Sequence, residues 1–200
     1  MKKSAWQAKR EIQKKKQRLQ KVLIYSGLGL ALIALVVIII VSANNNPPIP
    51  SGLMGDEVIV PSRAHVSNDT PPGPFNSNPP AGGAHYDTDF SAHFYQESEL
   101  AALPQHPEGY LVHSLEHGYV IFWYNCQVPN TDCTALKQMI QNVMNETGNS
   151  KLIAFPWSTM DVPLAMTSWG RILKFTKPDP ALMKQFVLRN RYQAPEPNAP

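Results

Sequence analysis

An uninterrupted apolar segment near the amino terminus limits what this chain can fold into more than any other feature. Residues 22–43, VLIYSGLGLALIALVVIIIVSA, contain no ionisable side chain except the phenol of Tyr25. A helix rises about 1.5 Å per residue, so a helix of this length reaches roughly 33 Å and crosses a hydrocarbon core of about 30 Å. We therefore predict a transmembrane signal anchor at residues 22–43, with membrane lipid as its partner.

The residues before this segment are strongly basic. Residues 1–21 hold nine basic side chains and one acid, Glu11, whereas the rest of the chain has 9 basic and 14 acidic residues. Lysine and arginine are retained on the cytoplasmic side of a membrane, so we expect residues 1–21 to be a cytoplasmic tail and the remainder to lie outside. Topology and contact with anionic lipid explain the charge, and we expect no nucleic-acid binding.

A cleaved signal peptide is the alternative interpretation of the same segment. The small residues Val41-Ser42-Ala43 resemble a cleavage site. However, the apolar run is longer than the roughly 7–15 residues usual for a signal peptide, and the basic part before it is also long. These lengths favour an uncleaved anchor and a single-pass protein of the cell membrane.

The composition after the apolar segment divides the remaining chain into three parts. Residues 44–55 are rich in proline and asparagine, which disfavour helix and central strand, so we predict a linker there. Residues 56–192 carry the periodic apolar patterns of an extracytoplasmic globular domain, and residues 193–200, QAPEPNAP, are predicted to be a flexible tail.

The apolar spacing inside the domain predicts strands and two amphipathic helices. Strands are expected within residues 57–60, 110–113, 118–124, 151–157 and 165–176, with HSLEHG (113–118) as a connection or as part of one continuous strand. Helices are expected at 134–147, between a Thr134 cap and Gly148, and at 179–191, where Asp179 precedes Pro180. This order predicts an α+β fold: a single mixed sheet with two main helices packed on it.

The chain has two cysteines, Cys126 and Cys133, on either side of the turn-rich segment QVPNTD. Outside the cytoplasm such a pair can remain oxidised, and we favour a structural disulfide. A thioredoxin-like redox pair would have C-x-x-C spacing, which this pair lacks. A soft-metal thiolate pair is the remaining alternative.

The segment HSLEHG carries the densest group of chemically active side chains. His113 and His117 stand four residues apart with Glu116 between them, and His85 lies in the glycine-rich stretch AGGAHYD. Imidazole suits copper and zinc, so we predict a transition-metal site from His85, His113 and His117, with Glu116 as a ligand or as the group that orients one. Further candidate ligands are His93, Asp87 and Asp89. Met160 and Met166, which we expect to be exposed, would supply thioether ligands for copper(I).

Three other interpretations of HSLEHG stay open. The segment matches H-x-x-E-H, the inverted zinc-peptidase pattern, which needs a regular helix and a distant third ligand. A metal-free acid/base site with Glu116 as general base is a second alternative. The third is a satisfied polar network with a structural role only. We assign no catalytic residue, and a role other than that of an enzyme is favoured.

Three motifs together resemble one known family. NSNPPAGGAHY (76–86), HSLEHGYVIFWY (113–124) and AMTSWGR, followed by a last helix ending in RNRY, occur in this order behind an amino-terminal anchor. This set is similar to the bacterial family called domain of unknown function 3105, over about residues 56–196. The resemblance supports an exported location and a meeting of His85, His113, Glu116 and His117, but it implies no reaction. An envelope interaction module with protein partners is therefore the alternative to metal binding.

Overall fold

The computed structural model describes residues 5–45, 52–68 and 70–199. Contacts between Cα atoms divide the chain into two compact units, Met1–Pro48 and Ile49–Pro200. Half of the predicted linker at 44–55 falls on residues 46–51, which lie outside the described part.

The first unit consists of one long helix, α1, at Ala5–Asn45. Within it, Gln13–Ile38 contains a stretch of 18 residues with a mean hydropathy of 2.3, which is long and apolar enough to cross a membrane, and none of its side chains is buried. A signal sequence near an amino terminus meets the same criteria. The helix starts well before the predicted boundary at residue 22, because the lysine-rich residues that precede the apolar run also favour helix.

The second unit is built on one mixed five-stranded sheet, as predicted. Its strands are β1 (Asp56–Glu57), β2 (Val120–Tyr124), β3 (Leu152–Pro156), β4 (Leu164–Ser168) and β5 (Arg171–Phe175). They lie in the order β1-β5-β4-β2-β3, in which only β2 and β3 pair in parallel. The predicted strand at 165–176 is two strands, because Gly170 (φ 67°) makes the chain reverse direction between β4 and β5.

Three α-helices and one 3-10 helix surround this sheet. They are the 3-10 helix Glu97–Ala102, α2 (Pro107–Glu116), α3 (Cys133–Thr147) and α4 (Pro180–Asn190). The expected helices are therefore confirmed as α3 and α4, and Gly148 follows α3 in the left-handed conformation (φ 87°). The cap of α3 is Asp132 rather than Thr134, and its carboxylate accepts the amide hydrogen of Ala135.

The two faces of the sheet are covered by different elements. Helices α3 and α4 pack on one face, where Phe122, Ile140 and Phe186 belong to one buried cluster. Helix α2 and the loops cover the other face, where Leu111 and Leu115 pack with Trp123. Met160 and Met166 are buried in these two clusters at 5% and 0% exposure, which corrects the expectation that they lie at the surface.

The prediction of a strand at 110–113 was wrong, since these residues lie in α2. Pro107 occupies the first turn, where its missing N–H costs nothing, and Leu111 and Leu115 lie four residues apart on the buried side. The helix ends before Gly118, whose left-handed backbone (φ 86°) starts the turn into β2. HSLEHG therefore comprises the last turn of α2 and the first two residues of the turn into β2.

Residues after Tyr192 contact the domain. The amide of Glu196 donates to the carbonyl of Glu116 (3.0 Å), and the Lys151 ammonium donates to the carbonyls of Pro197 and Ala199. The sulfur atoms of Cys126, in the loop before α3, and Cys133, the first residue of α3, lie at disulfide distance.

Candidate metal centre

Four side chains from three separate parts of the chain converge beside the last turn of α2. His65, His85, His113 and Glu116 each offer one ligand atom, and these atoms lie within 4.8 Å of one another. Ligand atoms around a tetrahedral zinc ion are about 3.3–3.6 Å apart, given metal–ligand bonds of about 2.0–2.2 Å. Small movements of the side chains would give metal-binding geometry: the widest pairs would move together, and His85 Nε2 and Glu116 Oε2, now 2.9 Å apart, would separate slightly.

Helix α2 supplies two members of this cluster. His113 and Glu116 are three residues apart, so they project from the same side of the helix. Both are buried, with 6% and 2% of their surface exposed. The opposite side of the helix carries the leucines that hold α2 against the sheet, and this packing fixes the direction in which His113 and Glu116 point.

His65 and His85 are brought side by side by a short parallel β-bridge. The amide of Val66 donates to the His85 carbonyl (2.7 Å), and the His85 amide donates to the Ala64 carbonyl (3.1 Å). The chain that leads into His85 needs glycine at position 83, because a Cβ atom there would lie 2.6 Å from the Phe75 ring. The proline- and glycine-rich segment thus places His85 beside the end of α2.

Both ring nitrogens of His85 face hydrogen-bond acceptors. Nδ1 lies 2.7 Å from the Gly83 carbonyl, and Nε2 lies 2.9 Å from Oε2 of Glu116. Since a carbonyl only accepts, Nδ1 carries the hydrogen, and in a neutral ring Nε2 would then direct a lone pair at a carboxylate. This contact is favourable only when the ring is protonated or when a cation lies between Nε2 and Oε2.

Glu116 is the charged centre of the cluster. Burial alone would raise the pKa of its carboxyl group, but the charges and hydrogen bonds of His85 and Arg63 outweigh burial and lower that pKa. Nε of Arg63 donates to Oε1 at 3.2 Å, and His65 Nε2 is 3.5 Å from Oε2. The carboxylate is therefore ionised at neutral pH, as a metal ligand must be.

His113 is held in its neutral form. Burial lowers the pKa of His113 to about 4, helped by the neighbouring positive charges of His117, His85 and His65 and opposed by Asp89. Its Nδ1 atom is buried and has no hydrogen-bond partner among the described residues. A neutral imidazole with an unpaired buried nitrogen is the form of histidine that binds metal.

His117 lies beside this cluster but outside it. Its ring is 4.3 Å from that of His113, yet its nitrogens face Asp89 at 3.7 Å and Glu196 at 3.8 Å. The other candidates are also elsewhere: His93 pairs with Glu99 at 3.1 Å. Asp87 is exposed and lines a depression beside His65.

The structure thus groups three of the four predicted metal ligands and adds one that the sequence did not reveal. His85, His113 and Glu116 lie together, and His65 is the fourth member of the group. His117 lies outside the group and faces Asp89. His65 sits in the segment SRAHVS, which carries no motif and no periodicity. The peptidase arrangement, with His113 and His117 as joint ligands and Glu116 as free base, differs from this grouping because Arg63 and His85 bind the Glu116 carboxylate.

The cluster opens to solvent on the side of His65. The His65 side chain is 47% exposed, whereas that of His85 is fully buried. His65 also lines a depression of about 480 Å³ together with Ser67, Asn68 and Asp87. His65 is therefore the member of the cluster that faces solvent.

Comparison with known proteins places these residues within the range matched by one family model. The family model described as "Protein of unknown function (DUF3105)" matches residues 65–200, a range that includes all four members of the cluster. No curated protein and no solved structure matches the chain. Since the matched range is more than half of the chain, the protein belongs to the family named domain of unknown function 3105.

Proposed function

We propose that this protein binds a transition-metal ion, zinc or copper, through His65, His85, His113 and Glu116. The observation that carries the proposal is the His85 ring, whose two nitrogens face a carbonyl and a carboxylate. A metal ion on Nε2 would remove the repulsion between the lone pair and Glu116. The Gly83 carbonyl would then orient the ligand through Nδ1, as backbone carbonyls commonly do for metal-bound histidine.

The donor set narrows the choice of metal. Three imidazoles and one carboxylate suit zinc or copper(II), whereas copper(I) prefers thioether and thiolate ligands. Met160 and Met166 are buried in the hydrophobic clusters on the two faces of the sheet, and neither belongs to the group of donors. The proposal therefore favours zinc and copper(II) over copper(I).

The proposed location of the site is the outer side of the cell membrane. The support is the exposed apolar span in α1, the basic residues that precede and begin it, and the disulfide-distance pair Cys126 and Cys133, which suits an oxidising compartment. In this arrangement α1 contacts lipid, and the unit Ile49–Pro200 binds metal outside the cell or in the periplasm. Protease treatment of intact cells or spheroplasts should digest this unit, and protection of the unit in spheroplasts would contradict the orientation.

The test of metal binding uses the full-length protein, purified in detergent without a histidine tag. Metal is measured by elemental mass spectrometry after loading with zinc or copper(II) and washing with a weak chelator. We expect about one ion per chain in the wild type and strong loss in His85→Gln and His113→Gln. Saturation at about 100 times the dissociation constant should also stabilise the fold by about 2.7 kcal/mol.

Two matched histidine variants control for general effects. His117→Gln changes a buried neighbour outside the cluster, and His93→Gln changes an exposed histidine elsewhere. Both should keep the ion. An empty but folded wild type, or equal losses in all four variants, would contradict the proposal.

An interaction module without metal is the second candidate function. It is favoured by one observation: Arg63 and a protonated His85 can together satisfy the Glu116 carboxylate as a buried ion network. HSLEHG would then hold α2 in place, and protein partners in the envelope would define the role. Stability of the wild type that does not respond to zinc or copper, together with partners crosslinked from membranes, supports this candidate.

A further inference from the structure

The cysteine pair lies next to a cavity that is separate from the histidine cluster. This cavity has a volume of about 420 Å³, and its walls include Tyr124, Phe155, Trp157 and Cys126. Among the described residues that line it, Cys126 is present and Cys133 is absent. The two sulfurs of the pair are therefore in different surroundings.

The cavity occupies a position in the fold where ligands commonly bind. Strands β2 and β3 run in parallel and end side by side at Tyr124 and Pro156, and both of these residues line the cavity. The crevice beyond the carboxyl ends of parallel strands is a frequent ligand site in α/β sheets. Aromatic and proline side chains make up much of the wall, so the cavity suits a partly apolar molecule.

The sulfur of Cys133 is positioned to be the leaving thiolate if the bond between the two cysteines is broken. It is the first residue of α3, a helix of 15 residues, so its sulfur is close to the positive end of the helix dipole. The charged groups near the pair are Glu97, whose carboxylate lies within 4.8 Å of both sulfurs, Lys137, which pairs with Glu97 at 2.5 Å, and the capping Asp132. Lys137 offsets the charge of Glu97, and the Asp132 carboxylate accepts the amide hydrogen of Ala135, so the remaining amide groups of the first turn favour the thiolate at Cys133 over that at Cys126.

We propose that Cys126–Cys133 is a thiol–disulfide exchange site that accepts a thiol through this cavity. The entering thiolate attacks Sγ of Cys126 and forms a new sulfur–sulfur bond. The bond between Cys126 and Cys133 breaks, and its electron pair leaves on Sγ of Cys133. The products are a mixed disulfide on Cys126 and a thiolate on Cys133, and the reverse step releases the thiol again.

The class of substrate is a thiol whose neighbouring groups are partly apolar, such as a small thiol or a cysteine in a peptide. The spacing C-x6-C differs from the C-x-x-C of thioredoxin-like proteins. The inference therefore rests on the different surroundings of the two sulfurs and not on a motif. It is independent of metal binding, and it is tested on metal-free protein.

The experiment uses the oxidised full-length chain in detergent, with N-acetylcysteine as the probe and iodoacetamide as the trap. Peptide mass spectrometry then identifies which cysteine carries N-acetylcysteine and which is alkylated. We expect roughly tenfold more adduct on Cys126 than on Cys133, because Cys126 and not Cys133 lines the cavity, and Cys133 is the better leaving group. Equal labelling, labelling mainly on Cys133, or reaction only under denaturing conditions would overturn the proposal.

A pair of surface variants tests the role of the cavity. Gln127 is exposed and lines the cavity, so Gln127→Trp should obstruct it and reduce adduct formation on Cys126 several-fold. Gln138 is exposed on α3 away from the lining residues, and Gln138→Trp should react like the wild type. Equal rates in the two variants would show that the cavity is not the route of the thiol and would refute the proposed site.

Discussion

Replacement of Gly109 by alanine tests how closely α2 is packed against the segment that carries His85. A Cβ atom at position 109 would lie 2.4 Å and 2.5 Å from two carbon atoms of the Tyr86 ring. Ordinary carbon–carbon contacts are about 3.5–4.0 Å, so the overlap is about 1 Å. The ring has little freedom to move, because it is fully buried and its hydroxyl donates to the Thr70 carbonyl at 3.1 Å.

The expected magnitude is the balance of two effects. Overpacking of a buried site costs about 1–3 kcal/mol, and an overlap of this size with a confined ring belongs in the upper part of that range. Alanine is also the better helix former, and in the first turn of α2 it stabilises the helix by up to about 1 kcal/mol relative to glycine. We therefore expect Gly109→Ala to lower the free energy of unfolding by about 1–2 kcal/mol.

Urea unfolding of the isolated domain, Ile49–Pro200, measures this change. Tryptophan fluorescence is a suitable signal because the domain contains Trp123, Trp157 and Trp169. The midpoint should fall while the slope of the transition stays the same. Metal affinity should fall as well, because the Tyr86 amide donates to the Gly109 carbonyl (3.3 Å) and His85 is the preceding residue.

A double-mutant cycle separates the clash from other effects of the substitution. Tyr86→Leu removes the ring, and in that background Gly109→Ala should cost much less or become stabilising, with a coupling energy of about 1 kcal/mol or more. A Gly109→Ala protein as stable as the wild type would refute the reasoning. It would mean that α2 and the His85 segment approach each other less closely than the structure shows.

Three further predictions concern stability and local order. Because the pKa of His113 in the fold is about 4, below the value near 6.5 of an unfolded chain, the metal-free domain should be fully stable above about pH 6.5 and lose stability as the pH falls towards 4. His113→Gln should lose less over that range in thermal unfolding. The fully buried Asn190 amide binds both the N–H and the carbonyl of Met54 at 2.9 Å. Asn190→Leu should therefore lower the free energy of unfolding by about 2–3 kcal/mol. An unchanged midpoint in urea unfolding would contradict this. Lys151→Met should speed hydrogen exchange at the Glu196 amide, since the Lys151 ammonium holds the residues around it, and an unchanged rate would argue against that role.

The fold was largely predictable because most of its elements carry local signals. Asp179 and Pro180 start α4, and Gly148 stops α3, as the sequence indicates. Helix α2 was missed because the apolar and aromatic residues on both sides of HSLEHG favour strand when they are counted one by one. The signals that would have identified it were Pro107 and Gly118, which stand at the start and just past the end of the helix.

The candidate site was only partly predictable, because its members meet through tertiary contacts. The spacing of His113, Glu116 and His117 puts all three within one helical turn, and it does not decide which two face the same neighbour. That choice depends on where the His85 ring is placed, and the ring is oriented by the Gly83 carbonyl. His117 instead faces Asp89 and the carboxyl-terminal residues.

His65 shows why composition and periodicity could not complete the ligand set. Its position is determined by a bridge to a residue 20 places further along the chain, and both partners lie outside named strands. The path of the chain into His85 is constrained by close packing at Gly82 and Gly83, where a Cβ atom would lie 2.7 Å from the Val60 side chain and 2.6 Å from the Phe75 ring. The glycines in AGGAHY therefore indicate close packing just before His85, but they do not indicate His65. A site built on irregular backbone in this way is held by contacts between distant residues, so its ligands can be found only when those contacts are known.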